Sequence, residues 1–142
     1  VTSEPHGERP RLRVIAGALV NAHGDVLIAE RPAGRHLAGR WEFPGGKVAA
    51  GESDSDALAR ELREELGVTV HGSAWVMTLC HDYPERTVEL VLFEVRQYDG
   101  EPQPRDGQRL KWVPPVALDA EDILEADRPF IAALQRRLAE SA

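Results

Sequence analysis

The segment SDSDALARELREELG, residues 53–67, constrains this chain more than any other stretch. Ser53 offers a side-chain acceptor at an N-cap, and Asp56 stands three positions on, like the acid of a capping box. Acids fill the first turn and Gly67 supplies a C′ stop. In between, Ala57, Leu58, Leu62 and Leu66 recur at helical spacing and form one apolar stripe. Positions i, i+3 and i+4 share a face, so Glu61, Glu64 and Glu65 crowd together. Two unit charges ~4 Å apart interact by ~4 kcal/mol at an effective dielectric of ~20. The helix therefore needs an apolar layer on one side and positive charge on the other. Divalent magnesium or manganese, which prefer hard oxygen ligands, would answer the second need. A solvated acidic stripe is the alternative, because Arg60 is spaced to pair with Glu64. The Pro-Gly-Gly loop upstream and the extra acid Glu52 weigh toward a bound cation.

The apolar layer is legible around this helix. Residues 12–20 (LRVIAGALV) read as a buried strand, NAHGD as a turn, and residues 26–31 (VLIAER) as the returning hairpin partner. Residues 32–47 carry Pro32, Gly34, Gly39, Pro44, Gly45 and Gly46, which is loop chemistry over a span long enough to suggest function. Two strands follow the helix, at residues 74–81 and 87–95, joined by DYPER. A Pro- and Gly-rich connection (99–107) leads to the short strand RLKWV. A last helix begins near Pro129, a favoured first position, with Phe130, Leu134 and Leu138 along one side. Trp41 and Trp112 read as structural. Strands flanked by two helices imply one layered α/β domain over residues 11–142, after a flexible lead-in of residues 1–10.

Charge narrows the partners. The chain has 142 residues and a net charge of −7, without the basic face that a nucleic-acid duplex demands. Its cations Arg31, Arg35, Arg40, Lys47, Arg60, Arg63 and Arg86 lie among acids, a mixture suited to a small anion held with a metal ion and not to a polymer. Apolar runs such as WVMTL are too short to span a bilayer, and the polar N-terminal stretch shows no secretory pattern. Cys80 is the single cysteine, which fits a reducing, cytoplasmic setting; its apolar neighbours suggest a small core residue.

Gly46, five residues, Glu52, seven residues, then RELREELGV from Arg60 to Val68 resembles the Nudix box, with every fixed position filled. The likeness is to the Nudix hydrolases, and within them to the MutT type that sanitises oxidised nucleotides such as 8-oxo-dGTP. RWEFPGGK, YPERTVEL, YDGEPQPRDGQRLKWV and ADRPFIAAL are similar to MutT segments in order and spacing. The resemblance implies a Nudix fold, an α/β/α sandwich around a central mixed β-sheet. It implies water attack on phosphorus, releasing a nucleoside monophosphate and pyrophosphate. Glu61, Glu64 and Glu65 would hold Mg²⁺ (Mn²⁺ as an alternative), with the Gly45 carbonyl as a further oxygen ligand and Asp106 as an extra acid from the far loop. Arg60 would orient the carboxylates and Glu52 support them. Lys47 would neutralise phosphate charge. Arg31, Phe43, Tyr83, Arg86 and Asp127 are the expected substrate contacts; His36 is not expected to be catalytic.

The base is harder to read. Guanine oxidised at C8 gains an N7–H donor, and a site that reads it needs a placed acceptor. The MutT type supplies an Asn amide near the C-terminal helix, where this chain has Asp127. An ionised Asp only accepts, whereas Asn both accepts and donates. Asp127 also suits the N-cap of the last helix. Three rivals to 8-oxo-dGTP hydrolysis therefore stand: a hydrolase of CTP or modified dCTP, a dinucleotide or nucleotide-sugar hydrolase, and an idle nucleotide-binding module. Oligomeric state is left open.

Overall fold

In the computed structural model the described residues are 10–140; most of the expected lead-in lies outside them. β1 (Arg11–Leu19) is apolar from Val14 onward because both its faces are covered there. Ile15 and Leu19 pack with Ala57, Leu58, Leu62 and Leu66 of α1 (Asp54–Leu66). Ala16 and Ala18 pack on the opposite side with Phe130, Ile131, Leu134 and Leu138 of α2 (Arg128–Glu140). Gly17 permits close approach of α1: a Cβ there would stand 3.1 Å from Leu58 Cδ1 and 3.2 Å from Leu62 Cδ1. Leu62 is fully buried, and its truncation to alanine would cost about 2–5 kcal/mol.

The central sheet is mixed. Along it run β4 (Gly45–Lys47), β1, β6 (Thr87–Asp99) and β5 (Thr69–Asp82), with β1 parallel to β6 and the other pairs antiparallel. With α1 on one face and α2 on the other, this is the α/β/α sandwich expected from the sequence.

A second sheet was not foreseen. β2 (Val26–Glu30) pairs with β3 (Trp41–Glu42) and β7 (Leu110–Val113), all antiparallel. The expected β1–β2 hairpin is thus corrected: the chain reverses at residues 21–25, but only the single bridge Val20↔Val26 joins the two strands. Both edges of β1 are occupied, by β4 and β6, so β2 is driven into a separate sheet. The expected loop 32–47 likewise contains β3 and β4. Trp41 is structural as expected: it is buried, and Lys111 Nζ and the Arg109 guanidinium lie 4.7 and 5.6 Å from its ring centroid.

β5 starts at Thr69, five residues before the sequence suggested. Register shifts between Val70 and Gly72, Gly72 and Ala74, and Trp75 and Met77 break the alternation that would have announced it. Cys80 is exposed, which corrects its core assignment. Leu79 packs into the α2 side of the core, so the period-two alternation turns Cys80 the other way.

Candidate active site

α1 forms where its caps demand. Ser53 Oγ accepts from Asp56 N–H at 3.1 Å, and Gly67 adopts φ 73° with its N–H donating to Arg63 O. Burying the leucine stripe turns the acids outward. Arg60 gathers them. Its Nε and Nη2 donate to Glu52 at 2.7 and 2.9 Å, and Nη1 donates to Glu61 at 3.1 Å and to Glu64 at 3.4 Å. Nη2 also reaches the Lys47 carbonyl at 3.0 Å, tying the helix to β4. Glu52 accepts from Ala49 N–H as well, at 2.9 Å. The Arg60 guanidinium, helped by that N–H, pulls the Glu52 carboxyl down to about 2.

Glu61 lies directly against β4. A Cβ on Gly46 would fall 2.3–2.6 Å from its carboxylate, so only glycine leaves that space. Glu65 shares a hydrogen bond with Glu61 and is held well above the usual carboxylate range. Burial is the main cause, followed by the contact with Glu61 and the charges of Glu61, Glu42 and Asp106. Glu64 remains largely exposed on the rim.

A cavity of about 370 Å³ opens beside this cluster. Gly45, Gly46, Lys47, Glu65 and Asp106 line one part of it; Arg31, Phe43, Leu124 and Asp127 line another. Asp127 arrives because residues 122–124 pair with β3: Trp41 N–H donates to Asp122 O, and Leu124 N–H to Trp41 O. The chain then makes a 3₁₀ turn, Glu125–Asp127, into α2. Asp127 is 6% exposed, and its Oδ2 accepts from Phe43 N–H at 3.3 Å. Burial pushes its carboxyl up to about 7, Glu42 pushes the same way, and the Phe43 N–H and Arg31 pull against them. Phe43 is buried against Phe130, with ring centroids 6.3 Å apart, and still lines the cavity.

Arg31 follows β2; its Nη1 donates to Glu42 at 2.9 Å and its Nε to His36 O at 2.7 Å. Tyr83 and Arg86 sit in the β5–β6 turn, bonded to each other through their backbones and outside the cavity lining. Glu42, Arg35 and Gln108 also line the cavity, beyond the substrate contacts expected from the sequence. Burial raises Glu42 despite Arg31 and Arg35. Its place between the aromatics of RWEFPGGK, on a strand two residues long, was the available signal. Gln108 carries none beyond following a turn.

Among the described residues no three acidic, histidine or cysteine side chains converge as a ready-made metal-ligand group; Arg60 stands among the acids instead. Their chemistry nevertheless fits a hard divalent cation. Glu61 and Glu65 are close enough to share a proton, and the missing Cβ of Gly46 lets the Glu61 carboxylate come directly against β4 beside the Gly45 carbonyl, a set of hard oxygen donors.

Residues 15–133 match the family model described as NUDIX domain, so the chain belongs to the Nudix family. It is a Nudix hydrolase, an enzyme class that cleaves nucleotide pyrophosphate linkages and generally depends on a divalent metal. The 8-oxo-dGTP diphosphatase of Escherichia coli K12 is 36% identical, covering 89% of this chain and 98% of that protein. A putative 8-oxo-dGTP diphosphatase 2 of Mycobacterium tuberculosis is 46% identical (91% and 92% covered). The CTP pyrophosphohydrolase of E. coli K12 is 35% identical (84% and 88%). Among solved structures, one from work on MutT of Aliivibrio salmonicida and Vibrio cholerae superposes with a TM-score of 0.79 at 34% identity, covering 89% of this chain and 98% of that one.

Proposed function

We propose that the chain is a Mg²⁺-dependent nucleoside triphosphate pyrophosphohydrolase whose preferred substrate is 8-oxo-dGTP. The supporting observation is the shared cavity: a buried, readily protonated carboxyl, Asp127, and the Nudix-box acid Glu65 line one space. A carboxyl poised near neutrality presents both a donor and an acceptor, as an Asn amide does. That pair suits a base edge with an N7–H and an adjacent carbonyl, which is what oxidation at C8 creates in guanine. Phe43 would pack on the base and Arg31, steadied by Glu42, would contact the nucleotide.

At the phosphate end Glu61, Glu64, Glu65 and the Gly45 carbonyl would hold the cation, with Asp106 as a further acid. Bound there, a divalent ion offsets polyphosphate charge and lowers the pKa of water. Arg60 holds the acids in one array, anchored by Glu52. Lys47 adds positive charge beside the phosphates. Tyr83 and Arg86, on the turn that precedes the lining residues Val88 and Leu90, would reach the substrate from outside that lining. In the reaction a water oxygen bonds to phosphorus, the bond to the departing pyrophosphate breaks, and the water's proton passes to a carboxylate. A nucleotide substrate of this kind belongs to the cytoplasm.

The relative that hydrolyses CTP supports the second reading, since cytosine also offers an adjacent donor and acceptor. Pyrophosphate release from 8-oxo-dGTP, dGTP and CTP on one preparation decides between them. A higher kcat/KM for CTP than for 8-oxo-dGTP would overturn the first reading.

A further inference from the structure

The C-terminal end of α1 is finished by a distant segment. Helix ends leave carbonyls without intrahelical donors, and here the β6–β7 connection supplies them. Gln103 N–H donates to Leu66 O at 2.8 Å and Arg105 N–H to Glu65 O at 3.1 Å. The side chain of Gln108 completes the junction. It is buried, 6% exposed, and uses both ends of its amide. Nε2 donates to the Glu65 carbonyl at 3.4 Å, and Oε1 accepts from Asp106 N–H at 2.9 Å. One amide thus links the backbone of the cavity's helical acid to the backbone of its loop acid, and Gln108 lines the cavity beside both.

We propose that Gln108 is a positioning residue that sets the separation of Asp106 from Glu65, and through it the affinity of the site for a divalent cation. This rests on the cation-binding role given above to those two acids. Asp106 sits in a turn whose neighbour Gly107 has φ 75°. Among the described residues the Gln108 amide is the acceptor that fixes the Asp106 N–H. Without it the connection would still be fastened at Gln103 and Arg105, so the fold survives while the Asp106 carboxyl wanders.

The test uses Gln108→Met, similar in length and unable to make either bond, and Gln108→Asn, which keeps the amide but falls one methylene short. Amide hydrogen exchange at Asp106, read without nucleotide or metal, should speed up about tenfold in both, as expected for loss of one hydrogen bond. Mn²⁺ titrated into the metal-free protein should bind about three- to tenfold more weakly, with KM for nucleotide at saturating metal changing less than twofold. In an Asp106→Asn background, Gln108→Met should have no further effect on Mn²⁺ affinity. Unchanged exchange at Asp106 would overturn the clamp, whatever the enzyme hydrolyses. Faster exchange with unchanged Mn²⁺ affinity, or an undiminished effect in the Asp106→Asn background, would overturn its coupling to the cation. Because exchange is read with no substrate present, failure of the nucleotide assignment leaves that outcome distinct.

Discussion

Asp127 and Phe43, 84 positions apart, are joined by a hydrogen bond from the Phe43 backbone N–H to the Asp127 carboxyl. The bond holds an acid just ahead of α2 against the link between β3 and β4 that leads into the Nudix box. Burial of the same carboxyl keeps it protonatable near neutral pH.

Selectivity should therefore depend on pH. Below about 7 the Asp127 carboxyl both donates and accepts; above it, it only accepts. The ratio of kcat/KM for 8-oxo-dGTP over dGTP should change severalfold between pH 6 and 8, by roughly the tenfold per pH unit ceiling of a single titration or less. Asp127→Asn should flatten that dependence. An identical pH profile of selectivity in the variant would remove Asp127 from base reading.

The same group predicts a stability trend of definite sign. Its folded value near 7 lies above the ordinary 3.8, so the folded protein keeps a proton that the unfolded chain has lost. Unfolding releases that proton between about pH 4 and 7, and stability falls as pH rises through this window. Subtracting urea-melt stabilities of Asp127→Asn from those of the wild type should isolate the decline, with a plateau above pH 7.

Glu52 gives the opposite sign. Arg60 holds it at about 2, below the ordinary 4.5, so its contribution is present above pH 4.5 and is lost as the pH falls toward 2. Arg60→Gln should shift the acid limb of the unfolding profile upward, and should lower turnover because Glu61 and Glu64 lose the same partner.

Charge removal at the box should act on chemistry more than on folding. Glu64 is exposed at the rim, so Glu64→Gln should leave the melting temperature nearly unchanged while lowering turnover by about 10²-fold or more. Chelation of divalent ions should abolish pyrophosphate release, and returning Mg²⁺ should restore it. Wild-type rates for Glu64→Gln would contradict its place in the array.

The two glycines of β4 should separate site from scaffold. On Gly46 a Cβ would press on the Glu61 carboxylate, the free end of a side chain that can move aside. Gly46→Ala should fold and lose most activity. On Gly45 a Cβ would stand 1.9 Å from the Ile15 carbonyl, inside the β1–β4 pairing. Gly45→Ala should melt several degrees lower, read by circular dichroism.

Local signals exposed the helix and its acids; longer-range pairings stayed hidden. The caps at Ser53 and Gly67 and the stripe Ala57, Leu58, Leu62, Leu66 are set within a few residues, and all appear where the sequence places them. The division into two sheets depends on which strand claims the edges of β1, a competition between residues far apart. Bulges mask the start of β5, and Cys80 is exposed beside an apolar run because neighbours in sequence do not share a strand face. Glu42 and Gln108 escaped notice for a related reason. Their importance comes from Arg31, Glu65 and Asp106, which reach them through tertiary structure.

The parallel union of β1 with β6 has a consequence for synthesis. Arg13 and Glu89, register partners across it, stand 76 positions apart. As the chain emerges from the ribosome, β1 must wait until β6 has been made before finding its parallel neighbour. Contacts of such separation slow folding and leave sticky segments uncovered. α1 can coil early, yet Asp127 is translated long after it, so a product truncated ahead of the Glu125–Asp127 turn would carry the box's acids without the carboxyl proposed to read the base.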